Sequence, residues 1–569
     1  MSLPAEKAGL GNFITTYRYA LISVGIFSAV VNLLMLTGPV FMLQVYDRVL
    51  ASQSVPTLLM LVLLVALLLA FYAILEVIRT RILCRVAADA DAQISKRVFE
   101  QTAYHSSHGT SDRISGSPSR DLDTLRQFMS GPAPLAFFDM PWLPVFLAIV
   151  FMMHVWLGLT ALAGAFVLCV LAVANEMSMR APRKDAATCL AEKQRFFSFL
   201  QRNGDVARAM GMVRPMADNW QVNHRAAVVL QSQLSDTSGA FSASIKGIRL
   251  FLQSLILGVG AYLAIHQQVS PGAMIAASII AARALAPLEA AVANWRQYGD
   301  AFQAFKRLRT LLADGADQTF DMALPRPKSD LSLEGVRFCP AARKQPVLQG
   351  IDFSLQPGNG LAVLGPSAAG KSTLARLLVG LIPEHDGDIR LDGATLDQWH
   401  PDRRGAFLGY VPQKVILFPG TIAQNISRFT EEIDPAKTIA AAKAAGVHEL
   451  ILGLPDGYET RCDEQSFSLS VGQQQRIALA RALYGDPFLI VLDEPNSSLD
   501  ADGENALISA IRSARKRGAI VVVMAHRPSI LAAVDRVLML YQGRQHAFGD
   551  KEKVLPNLLR PANEGRDVA

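Results

Sequence analysis

Charge is scarce in this chain. Only 18% of its 569 residues are Asp, Glu, Lys or Arg, against about 25% in an ordinary soluble domain. With 51% hydrophobic residues, that excludes intrinsic disorder and argues against a typical cytosolic enzyme. Cysteine is sparse as well. Cys84, Cys169, Cys189, Cys339 and Cys462 lie far apart, with no CxxC and no histidine at ligand spacing. They read as isolated reduced thiols, so neither a structural disulfide nor a zinc site is expected. The chain has no internal repeat. Its formal net charge of +6 is small for the length, and basic cytoplasmic loops explain it better than a nucleic-acid partner does.

What is present falls into two parts. The first holds six apolar runs, at about 20 residues per span: Ala20–Leu43, Pro56–Leu75, Leu135–Met153, Val155–Asn175, Ile248–Ile265 and Ala273–Ala293. The first, second and fourth carry no charge from end to end, which a buried soluble helix rarely manages. The first is too long for a signal-peptide core, and no small-residue cleavage site follows it. Lys and Arg collect in segments 76–134 and 176–247, while the other connections are short. The excess of positive charge places both long loops and both termini in the cytoplasm. Those loops have helical spacing over Arg79–Ala103 and Arg183–Val206, and roughly 25 helical residues reach about 38 Å. They are expected to continue the spans as helical hairpins beyond the membrane.

Arg283 and Glu289 fall inside the sixth run. Their spacing puts them about 120° apart on a helix, so each is expected to face the pore interior or another helix rather than its neighbour; the alternative is that both lie near the cytoplasmic end, outside the hydrocarbon.

After a linker at 313–330, strands and helices alternate in a soluble α/β pattern over 331–569. The domain reading is a short cytoplasmic segment at 1–19, a six-span unit at 20–312, the linker, and an α/β unit. The apolar strand Leu361–Leu364 enters Gly365-Pro366-Ser367-Ala368-Ala369-Gly370-Lys371-Ser372-Thr373, and a helix follows. This is the P-loop pattern: glycines turn backbone N–H groups toward phosphate, Lys371 reaches the β- and γ-phosphates of ATP, and Ser372 can ligate Mg²⁺. A second buried run, Phe488–Leu492, delivers Asp493 and Glu494 to a strand end. There Asp493 suits the same Mg²⁺ and Glu494 can polarise the attacking water. Between them, Ser470-Val471-Gly472-Gln473 opens another helix, a second anion site that one nucleotide does not need. The simplest use for it is the γ-phosphate of ATP held by a second copy of the chain.

In this order, with Gln413 in Tyr410-Val411-Pro412-Gln413 and His526 in Ala525-His526-Arg527, the motifs resemble the ATP-binding cassette family. The resemblance implies that Gln413 couples the Mg²⁺ site to the membrane unit and that Ser470, Gly472 and Gln473 belong to the signature. It also implies that Ser498-Leu499-Asp500 is the D-loop, Glu494 the catalytic base and His526 the γ-phosphate switch. The fold class implied is a membrane α-helical unit of six transmembrane helices, of the ABC exporter type, fused to an α/β P-loop nucleotide-binding domain.

The membrane half, through Met42–Leu50, Phe138-Asp139-Met140-Pro141-Trp142 and Arg283–Glu289, resembles type I secretion ATPase/permeases of the PrtD type. That resemblance implies a homodimer in the bacterial inner membrane, in contact with lipid. It would export an unfolded polypeptide with a C-terminal signal, working with a periplasmic membrane-fusion adaptor and an outer-membrane channel. Export of lipids or small amphiphiles by the same engine is the alternative; a regulatory or DNA-acting ATPase is disfavoured by the spans.

Three departures stand out. Val471 replaces the glycine of many signatures. Pro340 stands where many cassettes stack adenine on an aromatic, so base selectivity is expected to be loose. Thr460–Gln465 sits where exporters contact their intracellular helices, with only the acid Glu464 kept. The roughly 20 residues before the first span leave no room for a peptidase domain, so leader processing is not expected.

Overall fold

The structure, a computed structural model, describes residues 13–107, 117–313, 324–340, 343, 345–462, 469–525 and 527–559. The chain forms two compact units, Met1–Asp317 and Gln318–Ala569.

The first unit is helical. Six helical segments are long and apolar enough to cross a membrane: Arg18–Ser52, Val55–His105, Ala133–Met153, Val155–Arg202, Val213–Ile265 and Pro271–Ala293. The first is not a single rod. Helix α1 (Arg18–Leu34) gives way to α2 (Thr37–Gln44) and a π-helical turn at Val45–Val49. Pro39 has no N–H to offer the turn before it, which accounts for the break near Met35. The third is also jointed, with α4 (Ala133–Asp139) and α5 (Leu143–Met153) separated by a 3₁₀ turn holding Pro141.

The long loops continue the spans. Helix α3 runs unbroken from Val55 to Ser107, so the second span and the polar extension after it are one element. Helices α6 (Val155–Arg202) and α8 (Val213–Ile265) do the same around a tip. The helix expected to reach Val206 stops at Arg202, Asn203 leaves helical geometry, and the short α7 (Gly204–Ala209) turns the corner. Helix α9 (Pro271–Ala293) forms the sixth span, and Trp295–Ala313 continues beyond it.

The core of this unit gathers Phe146, Leu157, Leu168, Ile245, Ile256 and Leu285. Span two contributes little to it: Leu59, Leu63 and Leu67 are exposed, as a face meant for acyl chains should be.

Polar side chains inside the unit are paired across helices. Arg79 is 3% exposed and donates to Asp139 at 2.8 Å, to Glu76 at 2.9 Å and to the Ser28 hydroxyl at 3.0 Å. Asn32 donates to the same Asp139 at 2.8 Å. One network therefore joins the first three spans. Glu289 pairs with Arg249 of α8 at 2.8 Å, which meets the expectation that it faces another helix. Arg283 is exposed and has no ion-pair partner among the described residues.

The second unit is a ten-stranded sheet in the order β5-β4-β1-β2-β10-β9-β3-β8-β7-β6. Its antiparallel side holds β1 (Leu331–Phe338), β2 (Leu348–Leu355), β4 (Asp386–Leu391) and β5 (Ala394–Thr395). Its parallel side holds β3 (Gly360–Leu364), β6 (Leu408–Val411), β7 (Leu489–Asp493), β8 (Ile520–Met524) and β9 (Arg536–Tyr541). The hairpin strand β10 (Arg544–Asp550) joins the two sides. Strands β7 and β8 are buried throughout, hence their continuous apolar sequences. Ligands in such sheets bind beyond the carboxyl ends of the parallel strands, and β3, β6 and β7 deliver the motif residues there.

Candidate nucleotide site

The P-loop leaves β3 and enters helix α10 (Lys371–Leu378). Glycine is needed at both ends of the turn. Gly365 has φ +156°, and a Cβ there would lie 2.3 Å from the Leu540 carbonyl oxygen. Gly370 has φ +98°, and its Cβ would meet Leu348 at 2.7 Å. Pro366, Ser367 and Ala368 are exposed at the tip, while Ala369 is buried. The first N–H groups of α10, those of Lys371, Ser372 and Thr373, have no carbonyl within the helix to bond. They form a cradle for anionic oxygen.

Lys371 is buried, and its ammonium donates to the carbonyls of Gly365 at 2.6 Å and Pro366 at 2.9 Å. Burial pushes its pKa below the ordinary lysine value, with Glu494 and Asp493 opposing the shift. Asp493, 3% exposed, accepts a hydrogen bond from the Ser372 hydroxyl at 3.2 Å. Burial pushes its carboxyl pKa up, against the pull of Ser372. A desolvated carboxylate beside a hydroxyl is a pair of hard oxygen donors. That donor set fits Mg²⁺.

Glu494 follows with φ +52°, while its N–H donates to Met524 of β8 at 3.1 Å. A left-handed residue at a strand end breaks the side-to-side alternation of β7 and re-aims the side chain. Such backbone strain in a non-glycine residue concentrates at functional positions.

Helix α11 (Val471–Leu483) begins with a reciprocal cap. The Ser470 hydroxyl accepts from the Gln473 N–H at 3.3 Å, and the Gln473 side-chain oxygen accepts from the Ser470 N–H at 2.9 Å. Gly472 packs against the D-loop, where a Cβ would sit 2.9 Å from the Ser498 carbonyl oxygen. Among the described residues neither Ser470 nor Gly472 hydrogen-bonds to the P-loop. Ser470 is instead exposed, available to something outside this unit.

Gln413 leaves β6 beside Asp493, because Val411 pairs with Leu492. Its side chain is exposed and, among the described residues, bonds neither Ser372 nor Asp493. His526 and Glu464 lie outside the described residues.

Two residues escaped sequence reasoning. Gln475, buried inside α11, donates to the Pro495 carbonyl at 2.5 Å. Arg476 pairs with Asp500, which caps α12 (Ala501–Lys516) by accepting from Gly503 at 2.8 Å. Together they tie the signature helix to the loop carrying Glu494 and to the D-loop. The signal available was slight: an unusually polar run, Gln473–Arg476, on a helix whose remaining residues are apolar apart from Arg481.

The family models agree with this architecture. The ABC transporter model matches residues 348–497, and the ABC transporter transmembrane region matches residues 21–287. The chain is 46% identical over 552 residues to the type I secretion system ATP-binding protein PrsD of Rhizobium meliloti (strain 1021), covering 97% of this chain and 95% of the relative. The chain belongs to the type I secretion ABC transporters.

The leukotoxin translocation ATP-binding protein LktB of Mannheimia haemolytica is 26% identical, over 95% of this chain and 77% of its own length. A solved bacterial Atm1-family ABC exporter with ATP bound has the same fold, with a TM-score of 0.83 at 21% identity over 97% of this chain and 100% of its own. As a type I secretion ABC transporter the protein is a multi-pass inner-membrane ATPase that binds ATP and couples its hydrolysis to transport.

Proposed function

We propose that two copies of this chain form the inner-membrane engine that exports an unfolded polypeptide with a C-terminal signal. A periplasmic adaptor and an outer-membrane channel carry the polypeptide onward. The observation that supports this most is the near-full-length similarity to PrsD, which spans the membrane unit as well as the ATPase. Both termini face the cytoplasm in this reading.

In the proposed mechanism each ATP lies between the P-loop of one protomer and Ser470 with Gly472 of its partner. The exposed Ser470 and the unspent N–H groups of α11 support that role. Lys371 exchanges its loop carbonyls for the β- and γ-phosphates. Ser372 and Asp493 would hold Mg²⁺, with Gln413 approaching on closure; the ion supplies positive charge to the phosphate oxygens. Glu494 orients the attacking water and takes its proton as oxygen bonds to the γ-phosphorus and ADP departs. His526 contacts the γ-phosphate. Binding closes the two cassettes and hydrolysis reopens them. The motion passes to the spans through the tips near 116–123 and 203–213.

The test is to express Glu494→Gln in native membranes, hold it with ATP, crosslink, and identify what is captured. A periplasmic adaptor together with a secreted polypeptide is the expected result. Capture of lipid and homodimer alone, under conditions that preserve a known secretion complex, overturns polypeptide export in favour of small-amphiphile transport.

A further inference from the structure

Strands β7 and β8 run side by side to their last residues, with Asp493 paired to Met524. The Glu494 N–H still donates to the Met524 carbonyl at 3.1 Å. Beyond that bond the ladder ends. One chain continues through Pro495 and Asn496 to the D-loop, and the other passes Ala525 and His526 to a 3₁₀ turn at Pro528–Ala533. Glu494 and His526, read above as the base and the γ-phosphate contact, therefore belong to two loops that no strand pairing holds together.

A single oxygen joins them again. In the first turn of α12, Glu504 Oε1 accepts from the Asn496 side-chain amide at 3.2 Å and from the Ser529 hydroxyl. Asn496 is 3% exposed and lies two residues after Glu494, and Ser529 lies three residues after His526. The Ser529 hydroxyl and the Asn496 amide hold the Glu504 carboxyl below the usual carboxylate range, and Arg527 adds to the pull. The bridge stands on packed ground, because Leu507 and Ile511 of α12 share a buried core with Ile530 of the 3₁₀ turn. Glu494 needs such support. Its left-handed backbone, at φ +52°, is a strained state that persists only where its surroundings over-determine it. Gln475 holds the Pro495 carbonyl from the side of the signature helix, and Glu504 holds the next residue from the other side.

We propose that Glu504 is a positioning residue for ATP hydrolysis, its Oε1 fixing the loop that carries Glu494 against the loop that carries His526. The proposal rests on the roles given above to Glu494 and His526 and adds the group that keeps the two in step. The attacking water and the γ-phosphate must be aligned far more finely than folding requires, and a misplacement of about 1 Å costs about a hundredfold in rate. Glu504 makes no hydrogen bond to the P-loop among the described residues, so nucleotide affinity does not pass through it. Its loss falls on kcat and leaves KM nearly alone.

The experiment uses the full-length protein in lipid nanodiscs and reads ATP turnover against ATP concentration, with the unfolding midpoint as a check on folding. Glu504→Ala should lower kcat about tenfold to a hundredfold, with KM changed by no more than about twofold. Glu504→Gln keeps an accepting oxygen at the same reach, so kcat should return to within about threefold of wild type. Ser529→Ala should lower kcat several-fold by itself and cost nothing further when added to Glu504→Ala, because both remove one bridge. Normal kcat in folded Glu504→Ala, a full additional loss in the double variant, or a Gln variant as slow as the Ala variant overturns the positioning role. Should Glu504→Ala fail to fold, Ser529→Ala decides, and an unchanged kcat there overturns it. Glu494→Gln is measured alongside. Brisk turnover in that protein overturns the base assignment itself, whereas slow turnover there beside a normal Glu504→Ala removes only the bridge.

Discussion

Gln475, in the middle of the signature helix, donates its side-chain amide to the carbonyl of Pro495, the residue next to Glu494. With Arg476 bound to Asp500 further along the same loop, the helix that begins after Ser470 grips both ends of the Glu494–Asp500 segment. A shift of that helix is therefore felt at the catalytic base. Gln475→Ala removes the amide and leaves a buried carbonyl unpaired, at a cost of about 1–3 kcal/mol. The expected result is a several-fold lower kcat for ATP with little change in KM, read by steady-state phosphate release. Unchanged kcat in a folded variant would refute the linkage.

Glu494→Gln keeps the shape of the side chain and removes its basicity. Hydrolysis should fall at least about a hundredfold while ATP-dependent closure of the two cassettes persists. Turnover by vesicle ATPase assay and ATP-dependent crosslinking between the two cassettes together check this. Brisk turnover would take the base role from Glu494.

Lys371 offers a pH test in which affinity and stability move in opposite directions. Its pKa is lowered by burial from 10.5, so the folded, nucleotide-free protein gives up this proton at a lower pH than the unfolded chain does. Over the window between the two values the unfolded state binds more protons, so this group makes the fold more stable as pH rises. Phosphate affinity falls over the same window because the ammonium is lost. KM for ATP should climb on the alkaline side below pH 10.5. Lys371→Ala should abolish hydrolysis, and tight ATP binding with normal turnover in that variant would contradict the assignment.

Arg79 holds the first three spans together from a buried position. Arg79→Ala leaves Asp139 and Glu76 without their cation, and breaking a buried pair in this way costs about 3–5 kcal/mol. The unfolding midpoint of the purified protein should drop by several degrees. Asp139→Asn added to Arg79→Met should recover part of the loss, because the stranded charge is then gone. Equal stability of all three proteins would show that the network contributes nothing.

Much of this was legible in the sequence because it is written locally. A charge-free apolar run declares a span, and a buried strand running into Gly365–Thr373 declares a phosphate cradle. What was not legible joins residues far apart in the chain. Arg249 with Glu289, Arg79 with Asp139, and Gln475 with Pro495 leave no mark in the spacing of either partner. The carboxylate of Asp47, which accepts from the Gly272 N–H at 2.9 Å and from the Ser270 hydroxyl, is separated from both by more than half of the membrane unit. The left-handed turn at Glu494 was equally hidden, since glutamate has no preference for it. The end of helix α6 at Arg202 was missed because it rests on Asn203 alone leaving helical geometry, at φ −125° and ψ 25°, a change that the surrounding apolar spacing does not announce.

Helix α3 has 53 residues without a break, about 80 Å of rod at 1.5 Å per residue. The bilayer grips it near one end, and most of its length projects to one side. It is a lever with unequal arms. A tilt of about 5° about the middle of its apolar stretch sweeps the end of the long arm by about 5 Å and the opposite end by little more than 1 Å. Force is multiplied in the inverse ratio, so a modest push at the long arm becomes a strong, short-stroke displacement at the far face of the membrane. That gearing suits a machine that must part well-packed helices by small amounts against the full cohesion of their interface.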